Sequence, residues 1–168
     1  MRAAAENLTP VTLELGGKSP AIIAPDYPMA KAAARIIAGK CLNAGQTCIA
    51  PDYVMLPAGQ EESFIAAARA IVAASYPNLA ENPDYSAIVN ARHAIRLRNY
   101  LTDAAAKGAR IIPLAEVPNH NTGPQRLAPT LLLQPDDSML IMQEEIFGPL
   151  LPVMIYQRIE DALNYINA

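Results

Sequence analysis

Residues 43–48, Asn-Ala-Gly-Gln-Thr-Cys, lie between a helical pattern and a run of strand-forming residues. Upstream, Pro28 opens a stretch whose apolar-face positions (Ala32, Ile36, Ile37, Lys40 and Cys41) recur at three-to-four spacing. Gly45 can adopt the left-handed conformation with which many helices end. Downstream, residues 53–56 (Tyr-Val-Met-Leu) predict a buried strand that ends at Pro57. The stretch therefore predicts a helix-to-strand connection.

The same alternation of helices and strands continues along the chain. Amphipathic patterns predict helices over 60–75, 91–107 and 160–167, and Gly108 ends the second of these. Ile95, Leu97 and Leu101 are expected to form its buried side. Strands are predicted around Glu14, at 22–23, 111–112, 131–133 and 153–155. We therefore expect one α/β domain over residues 1–168, with a largely parallel sheet flanked by helices.

Composition excludes several classes of protein. The 168 residues are 52% hydrophobic and 17% charged, which is not typical of a disordered chain. The net charge of −3 offers no basic surface for nucleic acid, and no apolar run reaches the roughly 20 residues that span a bilayer. No CxxC or HExxH pattern predicts a metal site, and no GxGxxG or GxxxxGK[ST] loop is present. Two cysteines form no disulfide framework, so we expect a cytoplasmic protein.

Cys48 and Glu14 are the candidate catalytic pair. A thiolate is an intrinsically strong nucleophile near neutral pH, and a carboxylate can serve as general base for water. Glu14 precedes Gly16 and Gly17, and Cys48 follows Gly45, so the backbone at both positions can approach a ligand closely. These residues suit an enzyme that forms an acyl-thiol intermediate and hydrolyses it. We also expect the Cys48 N–H to help stabilise an oxyanion.

Three motifs carry a resemblance to a known family. They are Leu13-Glu14-Leu15-Gly16-Gly17-Lys18-Ser19-Pro20, the segment 42–48 (Leu-Asn-Ala-Gly-Gln-Thr-Cys), and the segment 143–149 (Gln-Glu-Glu-Ile-Phe-Gly-Pro). In this order and spacing they resemble the aldehyde dehydrogenase superfamily. Residues 50–53 (Ala-Pro-Asp-Tyr) and 90–93 (Asn-Ala-Arg-His) are most similar to its class-three and coniferyl aldehyde dehydrogenase branch.

The resemblance implies a site and a mechanism. Cys48 would attack an aldehyde to give a thiohemiacetal, which is oxidised to a thioester with NAD or NADP as cofactor, and Glu14 would activate the water that releases the acid. Glu145 would hold the nicotinamide ribose, Phe147 would pack beside the cofactor, and the Leu15 carbonyl would bind the nicotinamide amide. Thr47 and Ile49 would contact the substrate.

The resemblance also implies that residues 1–168 form only the catalytic domain of a longer enzyme. A nucleotide-binding domain upstream and an oligomerisation segment downstream would complete it, so we expect the fragment alone to be nearly inactive. The full-length enzyme is expected to be a homo-oligomer.

Some residues and two rival functions stay open. Cys41 is expected in the core, while Lys18 and Glu144 are expected to fix local structure. One rival function is a thiol esterase or acyltransferase that needs no nicotinamide cofactor. The other is a non-catalytic domain retained for assembly. The polar loop over 118–129, which contains His120, is either functional or mobile.

Overall fold

A computed structural model describes residues 1–116 and 125–168. Its elements alternate much as the sequence predicts. In chain order they are α1 (Arg2–Ala5), β1 (Pro20–Ile22), α2 (Met29–Cys41), a 3₁₀ turn (Leu42–Gly45), β2 (Tyr53–Pro57), α3 (Glu61–Ser75), α4 (Ala91–Ala106), β3 (Arg110–Pro113), β4 (Thr130–Leu133), α5 (Leu140–Gln143), β5 (Leu150–Tyr156) and α6 (Ile159–Asn167).

The sheet has the strand order β1-β2-β5-β4-β3. The pairs β1–β2, β2–β5 and β4–β5 are parallel, whereas β3 runs antiparallel to β4. Helix α2 connects β1 to β2, and α5 lies between β4 and β5, as expected for crossovers between parallel strands. The prediction of a largely parallel sheet flanked by helices is confirmed.

Side chains that alternate along β2 fill both faces of the sheet. Val54 and Leu56 belong to the larger apolar cluster, which also contains buried residues of α2, α3 and α4. Tyr53 and Met55 point to the opposite face and pack with Ala162 of α6. The sheet therefore forms the middle layer, and α6 covers the second face.

Three expectations about local structure are wrong. Residues 9–19 form no strand, and Glu14 is exposed there, because only the two ends of this backbone are bonded to described residues, Thr9 to the Ala4 carbonyl and the Ser19 carbonyl to the Asp52 N–H. Ile95 is 56% exposed, whereas Leu97 is buried as expected, because the buried face of α4 passes through Ala94 and Leu97 rather than Ile95. Helix α2 ends at Cys41 rather than at 43–45, where the backbone has already turned left-handed.

Two further expectations concern the surface of the molecule. None of the helices in residues 1–116 and 125–168 is long and apolar enough to cross a membrane. The loop expected over 118–129 falls mostly outside the described residues, and His120 lies outside them.

Candidate active site

The three sequence motifs meet through two glycines. A Cβ at Gly16 would overlap the Glu145 carboxylate, whose Cδ would lie 2.9 Å away, so the acidic side chain lies directly over the Gly16 backbone. A Cβ at Gly45 would collide with the backbone of Gly148, with its carbonyl carbon 2.8 Å away. Both glycines also have positive φ, +80° and +73°. The close approach to the Gly148 backbone requires glycine at Gly45, whereas at Gly16 the Glu145 side chain could move and the positive φ is the stronger constraint. Together the two contacts bring the first and second motifs against the third.

The segment before Cys48 turns with the opposite hand from helix α2. Asn43, Ala44 and Gly45 have φ values of 49°, 53° and 73°. The Ala50 N–H then donates to the Thr47 carbonyl at 3.1 Å, which places Cys48 within a tight turn. The thiol is exposed, and the Cys48 N–H donates to none of the described residues. Both groups are therefore free to meet a ligand.

Cys48 lies seven positions after Cys41, the last residue of α2. The left-handed turn at Asn43, Ala44 and Gly45 comes between the helix and the thiol, so α2 does not end directly before Cys48.

Gln46 connects the Cys48 loop to the segment before α4. Its side-chain Nε2 donates to the carbonyls of Asn43 at 3.0 Å and Ala87 at 3.1 Å. Its Oε1 accepts from the Val89 N–H at 2.9 Å. A single amide side chain therefore uses both its donor and its acceptor to fix the loop.

Helix α4 holds the segment that contains Glu145. Arg96 donates to the carbonyls of Glu145 at 3.3 Å and Ile146 at 2.6 Å, and to the Tyr100 hydroxyl at 2.9 Å. The Tyr100 hydroxyl in turn donates to the Glu144 carboxylate at 2.8 Å. Glu144 thus has the structural role expected for it.

A partly buried ion pair supports the same segment. Lys18 forms an ion pair with Asp52, and donates to the carbonyls of Ile141 at 3.0 Å and Glu144 at 2.9 Å. Asp52, only 3% exposed, also accepts from the Ile146 N–H at 2.9 Å. The expectation that Lys18 fixes local structure is confirmed, and Asp52 is a supporting residue that sequence analysis missed.

Two buried groups at the end of α2 have displaced pKa values. Burial lowers the pKa of Lys40 to about 8, against the opposing effect of Asp52. Burial raises the pKa of the Cys41 thiol to about 12, against the opposing effect of Lys40. Cys41 is 2% exposed and belongs to the main apolar cluster, so its expected place in the core is confirmed.

The remaining predicted site residues differ in exposure. Leu15 is 84% exposed and Ile49 85%, so both are accessible to a ligand. Phe147 is 36% exposed and has a φ of 48°, a strained conformation for an aromatic residue. Thr47 instead turns its hydroxyl inward, where the oxygen is buried without a hydrogen-bond partner in the described part of the chain. The Thr47 hydroxyl is therefore not available at the surface, although the residue as a whole is half-buried.

The arrangement fits a nicotinamide nucleotide better than a metal ion. The Glu145 carboxylate accepts no hydrogen bond from the described residues, lies over a bare glycine backbone and has an exposed aromatic ring two positions later. An unpaired carboxylate can accept both hydroxyls of a ribose diol. Within residues 1–116 and 125–168, no group of three His, Cys, Asp or Glu side chains could hold a metal.

Comparison with known proteins gives consistent matches. The model of the aldehyde dehydrogenase family matches residues 1–168. A probable coniferyl aldehyde dehydrogenase of Pseudomonas aeruginosa is 59% identical over 99% of this chain and 34% of its own length. Aldehyde dehydrogenase family 3 member A2 of Mus musculus is 43% identical over 99% of this chain and 33% of its own.

Solved structures agree with these sequence matches. A substrate-bound structure of Staphylococcus aureus AldH has a TM-score of 0.85 and 39% identity, covering 99% of this chain and 35% of its own. A Mycobacterium tuberculosis aldehyde dehydrogenase complexed with NAD+ has a TM-score of 0.81 and 32% identity, covering 99% of this chain and 35% of its own. The chain thus spans about a third of the length of these relatives. The chain belongs to the aldehyde dehydrogenase family.

Proposed function

We propose that this chain is the catalytic part of an NAD(P)-dependent aldehyde dehydrogenase whose substrate is an aromatic aldehyde such as coniferyl aldehyde. The observation that carries the proposal is the meeting of three motifs, in which the Glu145 carboxylate lies over Gly16 and the Cys48 loop touches Gly148. The coniferyl assignment is supported by the names of the similar Pseudomonas and Caulobacter proteins.

Cys48 begins the proposed reaction. Its thiolate attacks the aldehyde carbonyl, and the free Cys48 N–H donates to the oxygen that becomes negative. A nicotinamide nucleotide would supply the hydride acceptor: Glu145 would hold its ribose, the Leu15 carbonyl would bind its amide, and Phe147 would pack beside it. Loss of a hydride from the thiohemiacetal carbon to this acceptor would leave a thioester on Cys48.

Glu14 completes the proposed cycle. Its carboxylate takes a proton from water, the hydroxide oxygen attacks the thioester carbonyl, and the carboxylic acid leaves as the Cys48 thiolate re-forms. Glu14 is exposed, so water can reach it. Ile49 and the backbone of Thr47 border the path of the aldehyde. Residues 1–168 act as one catalytic domain in a cytoplasmic homo-oligomer, and a separate domain binds the rest of the nucleotide.

A chimeric enzyme tests this proposal. Residues 1–168 replace the matching third of the Pseudomonas aeruginosa relative, and NADH or NADPH formation is followed with coniferaldehyde and with a straight-chain aldehyde. Cys48→Ala should abolish turnover, and Glu14→Gln should lower it by at least a hundredfold, because general-base catalysis contributes about 10²–10⁴-fold. Cys41→Ala is the matched control and should retain activity.

The outcomes separate the alternatives. Activity that survives Cys48→Ala would contradict the mechanism, whereas a preference for the straight-chain aldehyde would contradict only the coniferyl assignment. Ester hydrolysis without nucleotide, combined with no aldehyde oxidation, would favour the thiol esterase. The 168-residue chain alone should form almost no NADH, and robust oxidation by it would show that the second domain is unnecessary.

A further inference from the structure

The tight turn that carries Cys48 has little hydrogen bonding of its own. The Ala50 N–H donates to the Thr47 carbonyl at 3.1 Å, and the Thr47 hydroxyl has no partner in the described part of the chain. Among residues 1–116 and 125–168, no hydrogen bond links positions 47–50 to a residue outside this turn. The direction of the Cys48 thiol therefore depends on the residues that hold the two ends of the turn.

Gln46 holds the first end, where the backbone before it is strained. Asn43 and Ala44 are left-handed, with φ values of 49° and 53°, and non-glycine residues persist in this conformation only where their surroundings hold them. The Gln46 N–H and Nε2 donate to the Asn43 carbonyl at 3.2 and 3.0 Å, and the Asn43 Nδ2 donates to the Gln46 carbonyl at 3.3 Å. Gln46 therefore closes the strained turn that precedes Cys48.

The same side chain reaches a segment that is fixed in the fold. Nε2 of Gln46 also donates to the Ala87 carbonyl at 3.1 Å, and Oε1 accepts from the Val89 N–H at 2.9 Å. Ile88, between these two residues, is 1% exposed in the main apolar cluster, and Asn90 caps helix α4 with its side chain. Within the described ranges, Gln46 thus makes the only hydrogen bonds that join residues 46–50 to the chain beyond the turn at 42–45.

We propose that Gln46 is a positioning residue for Cys48: its amide joins the thiol loop to the fixed segment before α4, and so holds the thiolate and the Cys48 N–H in one geometry toward the aldehyde. The inference rests on the proposed function, because it concerns the attack by Cys48. Gln46 makes no bond to the substrate and transfers no proton, so its effect is on geometry alone. A displacement of about 1 Å at a reacting group can lower a rate about a hundredfold.

Steady-state kinetics of the chimeric enzyme test this role. Gln46→Met keeps the length of the side chain and removes its donor and its acceptor, whereas Gln46→Glu keeps the acceptor for the Val89 N–H and loses both donated bonds. Gln157→Met, at an exposed position, is the matched control. With coniferaldehyde, kcat should fall about a hundredfold in Gln46→Met and should fall also in Gln46→Glu, while Gln157→Met retains the parent value.

Two further measurements separate positioning from a purely structural role. The affinity for NADH without aldehyde should stay unchanged in both Gln46 variants, because neither Glu145 nor Leu15 bonds to this side chain. Hydrogen exchange at the Ala50 amide should become faster, while the amides of α3 keep their protection.

The outcomes also separate this inference from the proposed function. If Cys48→Ala abolishes turnover and Gln46→Met leaves kcat unchanged, the inference alone is overturned, even where the variant is less stable to urea. A loss of NADH affinity that parallels the loss of kcat, with faster exchange throughout α3, would likewise reject positioning in favour of general disruption. If the unmodified chimera oxidises no aldehyde, the proposed function is contradicted and the inference with it.

Discussion

Cys41 and Cys48 lie seven positions apart, yet their thiols have opposite environments. Cys41 is buried and burial raises its pKa to about 12, whereas Cys48 is exposed in a tight turn. Because only an accessible thiolate reacts with iodoacetamide, we expect alkylation of Cys48 alone in the folded chain. Mass spectrometry of peptides after brief labelling at pH 8 measures this, and Cys41 should react only after denaturation. Equal labelling of both thiols would contradict this assignment of environments.

Asp52 is the residue on which the buried charges depend. It accepts from Lys18 and from the Ile146 N–H, and its charge opposes the effect of burial on Lys40. Asp52→Asn should lower the free energy of unfolding by about 3 kcal/mol, because it leaves buried cations uncompensated. Denaturant unfolding measures the loss, with the exposed Asp26→Asn as control. A loss as small as that of the control would mean that the ion pair contributes little.

Residue-scale reasoning from the sequence has a clear limit here. Cys48, Glu14 and Glu145 were proposed because each stands in a motif. Asp52 was missed because its partner Ile146 is 94 positions away, a contact that spacing cannot reveal. The burial of Lys40 could have been predicted from the sequence, since Lys40 occupies the apolar face of α2 together with Ile37 and Cys41. A charged residue in such a position indicates either an ion pair or a functional role.

At the level of elements, the contact between the Cys48 loop and the segment before β5 can be tested with one methyl group. Gly45→Ala would force a Cβ against Gly148, whereas at Gly59 a Cβ would meet nothing within 4 Å. Both glycines have positive φ, so alanine at either position carries a conformational cost of about 1 kcal/mol. Because a Cβ at Gly59 meets no neighbour, this is the only cost expected for Gly59→Ala. Gly45→Ala should lose roughly 1–3 kcal/mol more through overpacking. Equal destabilisation of the two variants would argue against the close contact.

Helix α4 and the Glu145 segment form a second testable contact. Tyr100→Phe removes the hydroxyl that links Arg96 to Glu144 and should cost about 1 kcal/mol of stability. The amides of residues 144–148 should exchange hydrogen faster in this variant, which mass spectrometry can follow. Tyr27→Phe, at an exposed position, is the control. Unchanged exchange at 144–148 would mean that Arg96, Lys18 and Asp52 hold the segment without the Tyr100 hydroxyl.

Elements were predicted best where side-chain periodicity was regular. The amphipathic pattern over 60–75 predicted α3, whose Phe64, Ala68 and Val72 are buried in the structure, and the apolar run at 53–56 predicted β2. The strand around Glu14 was wrong because an apolar alternation forms a strand only where a neighbouring backbone pairs with it. The antiparallel direction of β3 was not predicted, because the residues of a short strand do not by themselves fix its direction relative to the strand it pairs with.

For the molecule as a whole, Lys40 makes folding stability depend on pH. Its folded pKa of about 8 lies below the unfolded value of 10.5, so the unfolded chain binds more protons between these limits. The cost of burying the charge, about 3 kcal/mol, is therefore complete below pH 8 and disappears as pH rises through 10.5. Lys40→Met should be more stable than the parent chain at pH 7 by up to this amount.

The difference between parent and variant isolates this effect. Cys41 lowers the stability of the folded chain as pH rises above 9, because burial raises the pKa of its thiol. This effect is opposite to that of Lys40, but Cys41 is present in both proteins. Urea unfolding at pH 7, 8.5 and 10 should show the advantage of Lys40→Met shrinking as pH rises. A stability advantage of Lys40→Met that does not change with pH would contradict a charged, buried Lys40 at pH 7. So would a Lys40→Met chain that is less stable than the parent at pH 7.

The position of β5 determines when this domain can fold during synthesis. Residues 150–156 form the central strand of the described sheet, although they follow its other four strands in the chain. Until they leave the ribosome, β2 and β4 have no strand between them, and α2 and α3 cover an incomplete sheet. The apolar side chains of Val54 and Leu56 therefore remain available to chaperones until β5 has emerged. The nascent chain should stay sensitive to protease until residue 156 emerges, and then become protected in one cooperative step.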